Sequence, residues 1–268
     1  MILEITSPQN PRIKDVIRLR DRRGRQRQQR FIIDGLRELE RACNASISIE
    51  AIYFNLDACQ STLPQEILSQ CELDGTELIK VSERVMEKLS YGQRQLSMIA
   101  VARTPAPHEL VNLDVTSDSL IIILEAIEKP GNLGAIVRTA DASGVCAVIV
   151  AEGSADIYNP NAIRSSCGAI FHMPVIHAEL DSLQSWLKTY NFQTLATRVD
   201  GAISYTDANY SGPTAVVMGT EATGLSSAWH NDNSTAINIP MLGVGDSLNV
   251  STSCAVVCFE ALRQRSQS

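Results

Sequence analysis

From residue 112 onward, short aliphatic runs alternate with helical stretches, and that alternation narrows the possible folds more than any other feature of the chain. Leu120–Ala126, Cys146–Ala151, Phe192–Thr197, Thr214–Met218 and Ala236–Ile239 read as strands. They are more apolar than the strands of the N-terminal part and read as buried on both faces. Helices are expected between them over Asn132–Ser143, Asn159–Cys167 and Leu180–Tyr190, with a last one from about Ser247 to Arg263. This order predicts an α/β domain built on a parallel sheet. Such sheets bind ligands beyond the carboxyl ends of their strands. The loops that leave these strands are therefore where chemistry is expected.

The two prolines of Thr104-Pro-Ala-Pro-His-Glu109 disfavour helix and remove backbone donors, which marks a boundary. We expect a smaller domain over residues 1–105 and a larger one over 112–268. In the smaller part Phe31–Ile33, Ile49–Phe54, Glu77–Val81 and Ser97–Ala102 read as strands. Leu36–Ala42, Gln65–Cys71 and a Ser82-capped stretch to Leu89 read as helices, and Ser7 is the expected cap of a helix that opens at Pro8. The expectation is a second, small α/β domain.

No apolar run approaches the roughly 20 residues a membrane span needs. The N-terminus lacks a basic region followed by an apolar one, so no export signal is expected. Seven cysteines, odd in number and never spaced CxxC, point to reduced thiols in a cytoplasmic protein without a zinc site. The net charge of −7 argues by itself against nucleic acid, but its distribution argues the other way. Residues 12–30 hold nine basic side chains against Asp15 and Asp21, a net +7 that leaves −14 on the rest of the chain. A solvated helical face is the bland explanation of such a run. Arginine outnumbers lysine 18 to 5, which suits bidentate phosphate recognition.

Three loops carry candidate chemistry. Glu128-Lys-Pro-Gly-Asn-Leu-Gly134 follows the first strand and leads into Ala135-Ile-Val-Arg-Thr-Ala140. Its glycines are spaced GxxG, so a dinucleotide fingerprint is absent and an oxidoreductase is disfavoured. Arg138 lies in an apolar stretch and is costly to bury without an anionic partner; the alternative is a solvent-facing arginine beside a capping Asn132. Gly219-Thr-Glu-Ala-Thr-Gly224-Leu-Ser226 has the outline of a phosphate loop, but Leu225 occupies the lysine position. Its flanking glycines suggest a backbone that a ligand approaches closely. In Ile239-Pro-Met-Leu-Gly-Val-Gly-Asp-Ser-Leu-Asn-Val-Ser251, Ser247, Asn249 and Ser251 precede an apolar helix, more polar groups than one cap needs. No GxSxG elbow and no HExxH occurs, and none of the four histidines lies near an acidic pair with ligand spacing. Trp186 and Trp229 read as packing residues.

Taken in order, Asn132-x-Gly-x-x-x-Arg138, Gly219-x-Glu221-x-x-Gly224 and Ile239-Pro-Met…Ser247-Leu-Asn249-Val-Ser251 resemble the three motifs of the SpoU/TrmH family of the SPOUT class. These are S-adenosylmethionine-dependent RNA ribose 2′-O-methyltransferases. The resemblance covers about residues 112–265, and the smaller domain is similar to the RNA-binding domain that precedes many members. It implies a parallel sheet with a deep trefoil knot, a homodimer, and no metal. S-adenosylmethionine would be held at Met218, Gly219, Glu221, Gly224, Ile239, Met241, Leu248 and Asn249. Arg138 would stand at the acceptor, with Asn132, Glu221, Ser247 and Asn249 orienting it and the ribose. Arg20, Arg22, Arg23 and Arg25 are the expected RNA clamp, and Arg164 is a candidate to reach RNA or a partner subunit's active site.

A ribose 2′-hydroxyl is a poor nucleophile until its proton begins to leave. Arginine is a poor base, with a pKa near 12.5–13.8. Arg138 is therefore better read as a fork on the adjacent phosphate and the developing alkoxide, the proton passing to phosphate or water. The expected substrate is ribosomal RNA, in a housekeeping or antibiotic-resistance role. A tRNA methyltransferase and a non-catalytic RNA-binding protein of the same fold are the alternatives.

Overall fold

The computed structural model describes residues 3–59, 61–90, 96–153, 155–200, 203–220, 223–230 and 233–267. The chain divides into two compact units. The first comprises residues 1–106 together with 158–172, and the second residues 107–157 with 173–268. The single boundary expected near residues 104–109 leaves 158–172 in the larger domain; in the structure this stretch packs as part of the first unit.

The first unit is built on β1 (Leu3–Ile5), β2 (Arg30–Asp34), β3 (Ile49–Phe54), β4 (Glu77–Val81) and β5 (Met98–Arg103). They form a mixed sheet in the order β1-β4-β3-β5-β2, with β5 antiparallel to both its neighbours. Alternation of side chains splits the strands between two faces. Ile32, Ile99 and Val101 face a cluster with Ile13, Val16 and Leu19 from α1 (Pro11–Arg18) and its following turn. Val85, Met86 and Leu89 of α5 (Glu83–Leu89) complete that layer. The neighbouring residue Phe31 stacks instead on Tyr158, ring centroids 4.6 Å apart, and lies 6.0 Å from Phe171. Burial there pushes the Tyr158 phenol up to about 12. This side also receives α3 (Leu36–Asn44) and α4 (Thr62–Leu73), and α7 (Pro160–Ser165) packs on β2. Arg41 of α3 donates to the Cys167 carbonyl at 2.7 Å, which ties the 158–172 stretch down.

The basic segment departs from the expected single helix opening at Pro8. Asn10, not Ser7, caps α1, accepting from the Arg12 amide, and Pro11 takes the first turn where no amide is needed. The chain then breaks and starts again as α2 (Arg22–Gln28). Gly24 allows the break, because a Cβ there would lie 1.8 Å from the Arg18 carbonyl oxygen.

The second unit has one seven-stranded sheet in which every pairing is parallel. Its strands are β6 (Leu120–Glu125), β7 (Ala147–Ala151), β8 (Val175–Ala178), β9 (Gln193–Thr197), β10 (Ile203–Ser204), β11 (Thr214–Met218) and β12 (Ser234–Asn238), in the order β10-β12-β9-β11-β6-β7-β8. β6, β7 and β11 are buried along their whole length, as their unbroken apolar runs require. Each fully buried isoleucine or valine contributes about 1.5–3 kcal/mol relative to exposure. β12, expected to be covered on both faces, is only partly buried, because just the two-residue β10 lies beyond it. Among the described residues the α-helices of this unit are α6 (Pro130–Ala142), α8 (Leu180–Thr189) and α9 (Val250–Arg265), and α6 packs along α9. Among the described residues no helix is long and apolar enough to cross a membrane.

Candidate active site

The loops leaving β9, β11 and β12 enclose a cavity of about 590 Å³ with the start of α9. Thr197 and Arg198 stand at the end of β9, Met218 and Gly219 at the end of β11, and Asn238 and Ile239 at the end of β12. Leu248, Val250 and Val257 close the α9 side. All three strand ends point the same way because the sheet is parallel, so one opening collects residues scattered over 60 positions. Of the residues expected to hold a cofactor, Met218, Gly219, Gly224, Ile239, Met241 and Leu248 line this cavity. Ser247 lines it too, and Asn249 lies between two lining residues without lining it. Glu221 lies outside the described residues.

The second motif closes on itself. Gly224 donates its amide to the Thr220 carbonyl at 3.0 Å, and the Thr220 and Thr223 hydroxyls are 2.8 Å apart. The absence of a side chain at Gly219 is required by this loop itself, and Gly219 and Gly224 both line the cavity. A Cβ at Gly219 would meet the Gly224 carbonyl carbon and oxygen at 2.3 Å. Gly224 turns the chain at φ +66°, a conformation side chains rarely adopt.

The first and third motifs meet. The Asn249 side-chain amide donates to Asn132 Oδ1 at 3.4 Å. Asn249 is also the cap of α9, its Oδ1 accepting from the Ser251 amide at 3.0 Å and the Ser251 hydroxyl at 2.6 Å. Helix α6 begins at Pro130, so Asn132 sits inside its first turn rather than ahead of it. Arg138 lies on the exposed side of α6 and, among the described residues, has no hydrogen-bond or ion-pair partner. The burial cost foreseen for it therefore does not arise, and its five donors are available to an incoming anion. Neither Arg138 nor Asn132 lines the cavity.

Two features escaped sequence reasoning. Arg198 and Asp200 form a two-point ion pair at the cavity mouth, with bonds of 2.9 and 2.7 Å. That pairing raises the Arg198 pKa and lowers that of Asp200. Glu125 ends β6 as a buried carboxylate and accepts from Ser226 and Trp229. The one available signal was an acid closing the run Leu120-Ile-Ile-Ile-Leu124.

The expected RNA clamp is corrected at two positions. Arg20 forms a two-point ion pair with the buried Asp34 and donates to the Leu89 carbonyl at 2.7 Å. Arg25 is 5% exposed and donates to the Leu19 and Arg20 carbonyls just past α1, at 2.6 and 2.8 Å. Both guanidinium groups are spent on the fold. Arg22 and Arg23 are exposed, as are Lys14 and Arg27, and none of the four has a partner among the described residues. Arg164 is half-buried on α7 and donates to Asn161 Oδ1 at 2.7 Å.

Residues 119–259, more than half of the chain, match the model of the SpoU rRNA Methylase family. The chain belongs to that family. Residues 10–100 match the model of the MRM3-like substrate binding domain. A solved structure described as an RNA 2′-O ribose methyltransferase is 40% identical, with a TM-score of 0.87 over 98% of this chain and 99% of that one. The AdoMet-bound rRNA methyltransferase of Sinorhizobium meliloti is 25% identical, with a TM-score of 0.88 over 98% of each chain. A 23S rRNA (guanosine(2553)-2′-O)-methyltransferase of Bacillus subtilis is 25% identical over 96% of this chain and 98% of its own length. This SpoU family member thus has relatives that match it across both of its units, and its parallel sheet is that of their methyltransferase structures.

Proposed function

We propose that this chain is an S-adenosylmethionine-dependent ribose 2′-O-methyltransferase acting on ribosomal RNA. The observation that carries the reading is the contact between Asn132 and Asn249, which joins the first and third motifs at the rim of a cavity lined by the second. The end-to-end similarity to ribosomal RNA enzymes favours that substrate over tRNA.

The residues present fit the cofactor. A volume near 590 Å³ lies within the usual 300–1,000 Å³ of small-molecule sites. Met218, Leu225, Ile239 and Leu248 form an apolar part of its wall, while Arg198, Asp200 and Asp246 are charged residues among its lining. Bound S-adenosylmethionine supplies a methyl group on a sulfonium, whose positive charge disperses in the reaction and so gains little from an anionic wall. Arg138 offers its planar fork to the phosphate beside the target ribose and to the oxygen that gains charge. Asn132 and Asn249, held against each other, orient the ribose, with Ser247 beside them; Glu221 keeps its assignment to the same group. Arg164 is assigned an RNA contact. The trefoil knot and a cytoplasmic location, consistent with seven free thiols, belong to the same proposal. Calorimetry is expected to give saturable one-site binding of S-adenosylmethionine or S-adenosylhomocysteine and none of NAD. Tight NAD binding with no response to S-adenosylhomocysteine would sink the reading.

The chain is further proposed to be a homodimer. Leu242 and Val244 are fully exposed in the third motif, and Phe259 and Leu262 are 50% and 38% exposed on α9. This uncovered apolar surface supports the reading that the chain associates. Sedimentation at micromolar concentration is expected to return twice the chain mass. A fully active monomer would refute this.

A further inference from the structure

We infer that Glu125 is a positioning residue: its buried carboxylate holds the exit of the second motif in place and so sets the cofactor-facing wall formed by Gly224 and Leu225. The inference rests on the assignment of the cavity to S-adenosylmethionine. Glu125 is the last residue of β6 and only 5% exposed, after five buried aliphatic residues. A charge at such a place is costly unless its lone pairs meet donors. Three donors meet it, all from one short stretch about a hundred residues later. Oε2 accepts the Ser226 amide at 2.7 Å. Oε1 accepts the Ser226 hydroxyl at 2.7 Å and the Trp229 indole N–H at 3.1 Å.

The stretch so held is the continuation of the loop that lines the cavity. Gly224 and Leu225 are lining residues, and Ser226 follows them directly. Ser226 also caps the turn Ser227–Trp229, so the carboxylate grips both ends of that turn. Trp229 is 3% exposed and packs among Ile123, Val217 and Leu225. At its other side Glu125 stands four residues before Lys129, the residue that immediately precedes α6, the helix that carries Asn132 and Arg138. One side chain thus anchors the second motif to the strand that leads into the first. A core carboxylate with no bearing on the site would affect only stability. A positioning residue also alters the affinity of the folded protein.

Glu125→Gln keeps the shape but replaces one acceptor oxygen with an NH₂ group, which then opposes Ser226 or Trp229 donor to donor. In the full-length folded variant the S-adenosylmethionine Kd is expected to rise about tenfold or more, the order produced by one unmade buried hydrogen bond. RNA affinity is expected to stay within about twofold, because Arg22 and Arg23, the exposed side chains expected to bind phosphate, belong to the first unit. In a Trp186→Phe background the emission of Trp229 is expected to shift on Glu125→Gln before any ligand is added. A folded Glu125→Gln protein with wild-type cofactor affinity overturns the inference. Should that variant fail to fold, Ser226→Ala decides: at an exposed residue it removes the hydroxyl that donates to Oε1, together with the acceptor that caps the Ser227–Trp229 turn. A roughly threefold weaker Kd is then expected, and an unchanged one overturns the inference. Absence of S-adenosylmethionine binding in the wild-type protein is a separate outcome, which overturns the assignment of the cavity and this inference with it.

Discussion

Arg138→Ala is expected to slow methyl transfer by at least about 10²-fold, the scale on which one transition-state donor acts. Cofactor affinity should stay nearly intact, because Arg138 does not line the cavity and no described residue depends on it. The effect belongs in kcat more than in KM if the guanidinium acts on charge that develops during transfer. Arg138→Lys is expected to recover little, since an ammonium is a point charge and cannot hold phosphate and ribose oxygens on one planar fork. Single-turnover methylation of ribosomal RNA, with calorimetry on the same preparations, measures both parts. Transfer by Arg138→Ala near the wild-type rate would show that the assignment is wrong.

The basic segment gives two effects of opposite kind. Converting Lys14, Arg22, Arg23 and Arg27 to Gln is expected to weaken RNA binding and to flatten its dependence on salt. For every phosphate no longer neutralised, the log–log slope falls by roughly 0.7–0.9. The melting temperature should barely move, since these side chains are exposed and without partners among the described residues. Arg20→Gln is expected to do the reverse. It leaves Asp34 with 3% side-chain exposure and no counter-charge, and breaking a buried pair from one side costs about 3–5 kcal/mol. Denaturant titration reads the second effect and RNA titration at two salt concentrations the first. An unaltered salt slope in the fourfold variant would place the clamp elsewhere, and an undiminished stability in Arg20→Gln would deny the pair its structural role.

Element order was legible because it depends on local patterning. The expected bounds of β3, β4 and β11 coincide with the observed ones, since each run is mostly apolar or β-branched and is followed by a turn residue, Asn55, Ser82 or Gly219. Short elements were not legible. β1, β8 and β10 have two to four residues, too few for a periodicity, and exist because a neighbouring strand offers its edge. The same holds for the bounds of helices. Asn10 and Asn249 act as caps because of where the chain turns, while Ser7 and Ser247, as suitable in type, do not.

What the sequence determined by itself, then, was the α/β class, the three ordered motifs and the position of Arg138 on a helix, because residue type and spacing along the chain are enough for each. Tertiary structure decided which charges are available. Nine basic residues look alike between Arg12 and Arg30, yet Arg20 and Arg25 are consumed by Asp34 and by backbone carbonyls, and only packing separates them from Arg22 and Arg23. It also decided that residues 158–172 pack in the first unit, through Tyr158 on Phe31 and Arg41 on the Cys167 carbonyl. The role of Glu125 belongs to the same class. A carboxylate is stable in a core only where donors converge on it, and its donors lie 101 and 104 residues away along the chain, a distance no local pattern can report.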